Sequence, residues 1–76
     1  MSRFPTLRAV ELVKFLKARG FIEDRQRGSH VILWHPLTKK SVCVPVHTGH
    51  DLGRGLALQI LKAADFTPED FLNWRN

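Results

Sequence analysis

The stretch that most limits what this chain can fold into is Gly28-Ser29-His30-Val31-Ile32-Leu33-Trp34, a glycine turn running straight into a strand-forming, period-two segment. Alternation over residues 29–35 sets Val31 and Leu33 on one face and His30, Ile32 and Trp34 on the other. A strand apolar on both faces sits within a sheet, either covered on both sides or with one face open for contact. Of the two, cover is expected for Ile32. Residues 21–26 read as a shorter first strand, apolar at one end, and residues 41–46 as a third, which Pro45 places at an edge or ends. Cys43, between two valines, reads as a small buried hydrophobe with no chemical role.

Helical periodicity brackets these strands. Ala9, Leu12, Val13 and Leu16 recur at three- and four-residue steps, leaving Arg8, Glu11, Lys14 and Lys17 toward water. Thr6, behind Pro5, is the expected N-cap, and Gly20 the C-terminal stop. Lys17 and Arg19 then fall in the last turn, where they oppose the negative end of the helix dipole and need no ligand to explain them. After the glycine-rich residues 47–55, Leu56, Ile60, Leu61 and Ala64 share a face of a second helix expected to pack on the sheet beside the first. Thr67-Pro68-Glu69-Asp70 supplies a cap, a first-turn proline and first-turn acids for a short helix through Phe71, Leu72 and Trp74. Helix, three antiparallel strands, helix and a terminal helical turn make an α+β two-layer sandwich. One sheet face carries the helices and the other is left for a ligand or partner.

A chain of 76 residues is expected to form one domain, residues 1–76. A domain of this size buries only ~60% of the surface its unfolded form exposes, so a partner would add stability. Twelve Lys and Arg against seven Asp and Glu leave a formal charge of +5, spread from Arg3 to Arg75, which makes polyanions the natural partners. A lone cysteine excludes an internal disulfide and suits a reducing, cytoplasmic setting. No apolar signal core lies near Met1 and no apolar run reaches the ~20 residues of a membrane span, so neither secretion nor membrane insertion is expected.

The candidate chemistry gathers at the glycine turn. His30 stands at the mouth of its strand behind Arg25 and Arg27, which flank Gln26. An unperturbed imidazole has a pKa of ~6.5 and holds both protonation states near neutrality, while guanidinium groups neutralise phosphate oxygens. RNA is cut without a metal when its own 2′-hydroxyl attacks the adjacent phosphate. That reaction asks for a base, an acid and nearby cations. The plainer reading of His30 is a strand histidine facing water. Gly28 is required by a tight turn whether or not substrate approaches it, and Ser29 can hydrogen-bond a phosphate or satisfy a strand end. Arg54 adds its charge to the positive end of the second helix, where it suits a phosphate, whereas Lys39 and Lys40 read as solvated turn charges. Trp34 and Phe21 could stack on bases, but packing is the commoner use of aromatics. His47 and His50, separated by two residues and with His30 as a possible third ligand, suggest zinc only weakly, since a glycine-rich loop with one distant thiol offers too few oriented ligands; no metal or cofactor is expected.

Gly20-Phe21 after the first helix, Gly28-Ser29-His30 opening the second strand, Val44-Pro45-Val46-His47 closing the third and Ile60-Leu61-Lys62-Ala63-Ala64 in the second helix together resemble the HicA-type toxins of bacterial and archaeal toxin–antitoxin pairs, over residues 7–72. The resemblance implies a fold like the double-stranded-RNA-binding domain and ribosome-independent cleavage of messenger RNA by the histidine of the glycine-serine-histidine step, here His30. It also implies neutralisation by a HicB-type antitoxin, with any oligomer formed through the toxin–antitoxin complex. His47 matches a histidine frequent in that family after the third strand and is a candidate second proton-transfer group, against the plainer reading of a surface loop residue. The chain departs from the family at Gly55-Leu56-Ala57, where Gly-Thr-Leu is common, and at Ala64-Asp65, where Ala-Gly is frequent. Two rival functions use the same features: a non-catalytic RNA-binding module, which has no need of His30, and a pure protein-interaction domain, which leaves the charge unexplained.

Overall fold

A computed structural model describes residues 6–46 and 51–76. The elements run β1 (Leu7–Arg8), α1 (Ala9–Ala18), β2 (Ile22–Arg27), β3 (His30–Trp34), β4 (Ser41–Pro45), β5 (Asp51–Leu52), α2 (Arg54–Ala63) and α3 (Pro68–Arg75). The three expected strands pair as an antiparallel meander in the order β2-β3-β4. Val31 and Leu33 of β3 and Val42 and Val44 of β4 are buried toward α1 and α2, and both helices pack against β4. This is the α+β arrangement of the double-stranded-RNA-binding domain, helix, three strands, helix, with α3 appended. None of the helices is long and apolar enough to cross a membrane, among the described residues.

The helices end where their sequences stop them. In α1 the N–H of Phe21 bonds the carbonyl of Leu16 (3.0 Å) and that of Gly20 the carbonyl of Lys17 (3.1 Å), a Schellman closure with Gly20 at φ 101°. In α3 the Thr67 hydroxyl accepts from the Asp70 N–H (3.2 Å) while the Asp70 carboxylate accepts from the Thr67 N–H (2.9 Å), the reciprocal cap read from Thr67-Pro68-Glu69-Asp70.

Four expectations are corrected. Thr6 is not the N-cap of α1: Leu7 and Arg8 are extended and pair with Leu52 and Asp51, so the helix begins at Ala9 on Arg8, whose N–H donates to the Glu11 carboxylate (3.2 Å). The gain is burial, since Leu7 and Leu52 both leave water in this small ladder. Leu56 stays 40% exposed and Ala57 takes its place in the buried stripe with Ile60, Leu61 and Ala64, because the face that meets the sheet is phased one residue later. Cys43 is exposed, since Val42 and Val44 take the inward positions of β4 and alternation turns Cys43 outward. Ile32, for the same reason, is half-buried on the outward face rather than covered.

Phe15, absent from the expected stripe, is fully buried and central. Phe66, Phe71 and Trp74 stand edge-on to its ring at centroid distances of 5.1, 5.5 and 5.6 Å. These contacts fasten α3, and Phe66 just before it, to α1.

Candidate functional site

Ile22 pairs with Trp34 and Glu23 with Leu33, after which the ladder slips by one: Arg25 faces Ile32, Gln26 faces Val31 and Arg27 faces His30. A β-bulge at Asp24 takes up the extra residue. Uninterrupted pairing would set Arg25 opposite Val31, on the helix side of the sheet. The bulge instead puts Arg25 and Arg27 on the face of Ile32 and His30, because directly opposed residues project to the same side. It also shortens the hairpin loop to Gly28-Ser29, with Gly28 at φ 60°, the pattern of a type II′ turn. A Cβ on Gly28 would meet nothing within 4 Å, so backbone conformation rather than crowding requires the glycine.

His30 is therefore exposed at the first position of β3, between Arg27 on one side and Pro45 on the other. Its cross-strand separation from Arg27 is ~4.5–5.5 Å between Cβ atoms. Among the described residues the His30 ring has no hydrogen-bond or ion-pair partner, and Arg27 has no ion pair. Arg25 has a loose one, with Nε 3.8 Å from the Asp24 carboxylate. Ser29 is half-buried and its carbonyl accepts from the Val46 N–H, which ties the hairpin mouth to the end of β4. An exposed imidazole and two guanidinium groups on one sheet face are the side chains that proton transfer beside a phosphodiester asks for.

Arg25, Arg27, Gly28, Ser29 and His30 thus share one end of one hairpin. Arg54 does not belong to that hairpin: it is the first residue of α2, behind the N-cap Gly53, exposed and without an ion pair among the described residues. Leu56, where the family commonly has Thr, is the third helical residue and not the N-cap, so the missing hydroxyl is not a lost N-cap. His47 and His50 lie outside the described residues. Among the described residues no three His, Cys, Asp or Glu side chains cluster as metal ligands would.

His35, which no sequence pattern singles out, has a defined structural task. The Nδ1 of His35 accepts from the N–H groups of Leu37 (3.1 Å) and Thr38 (3.3 Å), which leaves Nε2 to donate to the Arg19 carbonyl (3.1 Å). The ring also packs edge-on against Phe21 at 5.1 Å. His35 so ties the end of α1 to the β3–β4 turn. Phe21 is buried and unavailable for base stacking, whereas Trp34 lies half-buried on the outward face with the Lys39 ammonium 5.6 Å from its ring centroid.

Compared with known protein families, residues 9–66 match the family described as the HicA toxin of bacterial toxin–antitoxin. No match is found among the curated proteins.

Proposed function

The chain belongs to the HicA toxin family, and from that premise we propose that it is a ribosome-independent, metal-independent endoribonuclease that cleaves messenger RNA through His30 and is neutralised by a HicB-type antitoxin. The observation that supports this most is the bulged hairpin, which sets Arg25 and Arg27 on the same face as the exposed His30. In the reaction, His30 takes the proton of a ribose 2′-hydroxyl, whose oxygen bonds the adjacent phosphorus. The bond to the 5′-oxygen breaks, and that oxygen leaves with a proton from an acid, a role open to His47. Arg25 and Arg27 neutralise the charge that grows on the phosphate, Gly28 and Ser29 border the scissile group, and Arg54 contacts a more distant phosphate. Residues 1–76 act as one domain.

The test incubates the purified chain and a His30→Ala variant with RNA in chelator. Wild-type cutting should persist and the variant should lose at least about 10²-fold in rate with RNA binding retained. Cutting that survives in the variant clears His30 of the role, and cutting lost only on adding chelator restores a metal. Equal binding with no cutting by either chain would establish the second reading, a non-catalytic RNA-binding module.

A further inference from the structure

The face that carries His30 extends well beyond the hairpin mouth. Sharing it by cross-strand register are Ile22, Arg25 and Arg27 of β2, Ile32 and Trp34 of β3, and Ser41, Cys43 and Pro45 of β4. Neither α1 nor α2 covers it: Ser41 and Cys43 are exposed, Ile32 and Trp34 are only half-buried, and Ile22 is 50% exposed. No carboxylate stands among these residues. Glu23 faces the helices, where Lys17 meets it at 3.1 Å, and Asp24 occupies the bulge. The face is an apolar strip of Ile22, Ile32, Trp34 and Cys43, edged by cations.

Lys39 adds an independent observation. It has φ 64°, a conformation that glycine adopts freely and that costs a residue with a side chain roughly 1 kcal/mol. A glycine would make the turn easier, yet it would remove the ammonium that sits over the Trp34 ring. The turn keeps a cation beside the large aromatic of this face.

We propose that this face is a platform for single-stranded RNA, with Trp34 as the stacking surface for one base and Lys39, whose ammonium leaves the ring as the base arrives, at the neighbouring phosphate. The strand leads from there past Arg25 and Arg27 to His30. The site deepens the ribonuclease reading, on which it rests for what happens at the His30 end. Trp34 and His30 are four residues apart on one face of β3, about 13 Å along the strand, a length a few nucleotides span. Single strands present unpaired π-faces that stack on aromatic side chains whatever the base, whereas a duplex keeps those faces inside its own stack. An apolar strip with a cationic edge therefore matches a splayed single strand better than a duplex. It also matches a polyanion better than a neutral protein surface.

The test titrates a fluorescein-labelled, fully 2′-O-methylated oligonucleotide of mixed sequence, about ten nucleotides long, into the chain and reads anisotropy. Such an oligonucleotide has no 2′-hydroxyl to attack and reports binding alone. Trp34→Ala should weaken binding by about 5- to 100-fold, Trp34→Phe should restore most of it, and Lys39→Gly should weaken it several-fold without lowering the thermal midpoint. Affinity for the same sequence as a duplex should not change in Trp34→Ala, and its circular dichroism melt should show the fold retained. Single-strand binding by Trp34→Ala equal to wild type overturns the platform, as does a variant that loses only its affinity for the antitoxin protein, which would give the face to that partner. Binding that depends on Trp34 in a chain that cuts no native RNA keeps the platform and removes the ribonuclease reading. Cutting by wild type and Trp34→Ala alike, with equal affinities, does the reverse.

Discussion

Two glycines that look alike in the sequence do different work. Gly20 and Gly28 both have positive φ, but a Cβ on Gly20 would stand 2.6 Å from Nε2 of His35, while one on Gly28 would touch nothing. Gly28→Ala should therefore cost about 1 kcal/mol, the conformational penalty alone. Gly20→Ala should cost about 2–3 kcal/mol, because it also pushes His35 off the Arg19 carbonyl. Urea unfolding of both variants checks this, and equal losses would mean that the His35 contact contributes nothing. Gly20 was legible from the end of helical periodicity. Its closeness to His35 was not, since the two are fifteen positions apart and meet only through the fold.

At the scale of elements, the two long helices close by the same device with different residues. In α2 the Phe66 N–H bonds the Leu61 carbonyl (2.8 Å) and the Asp65 N–H the Lys62 carbonyl (3.1 Å), with Asp65 at φ 70° in the position Gly20 fills after α1. This is the site where the family often has glycine, so the departure is a left-handed residue that has kept its side chain. Asp65 has an ion pair with Lys40 at 3.5 Å, but its side chain is 71% exposed and such a pair contributes little. Asp65→Gly should accordingly stabilise the chain by about 0.5–1 kcal/mol, raising the thermal midpoint by roughly 3–6 °C. A midpoint that falls would show that the Lys40 pair outweighs the backbone strain.

For the whole molecule, charge and small size have measurable consequences. Binding to RNA should weaken steeply with salt, and Arg27→Ala should lower the slope of log K against log salt by about one phosphate's worth. An unchanged slope would take Arg27 off the backbone path. The antitoxin, if it binds only the folded toxin, should raise the thermal midpoint as its concentration passes its dissociation constant, by up to about 4 kcal/mol of added stability at a thousand-fold excess over that constant. An unchanged midpoint with added antitoxin would count against the pairing.

By itself the sequence determined the order of the main elements, helix, three strands and two helices, the inward valines and leucines of β3 and β4, the stop at Gly20 and the N-cap at Thr67, and the grouping of Arg25, Arg27, Gly28, Ser29 and His30, because periodicity, capping and turn formation depend on residues a few positions apart. Only the tertiary structure decided which face of the sheet each arginine joins, that Leu7 leaves the helix to pair with Leu52, and that Cys43, Ile32 and Trp34 look outward. Those outcomes turn on a single slip at Asp24 and on which sheet face the helices cover. Register and layer packing are settled by competition between whole surfaces for burial, and no local pattern in the chain records who wins.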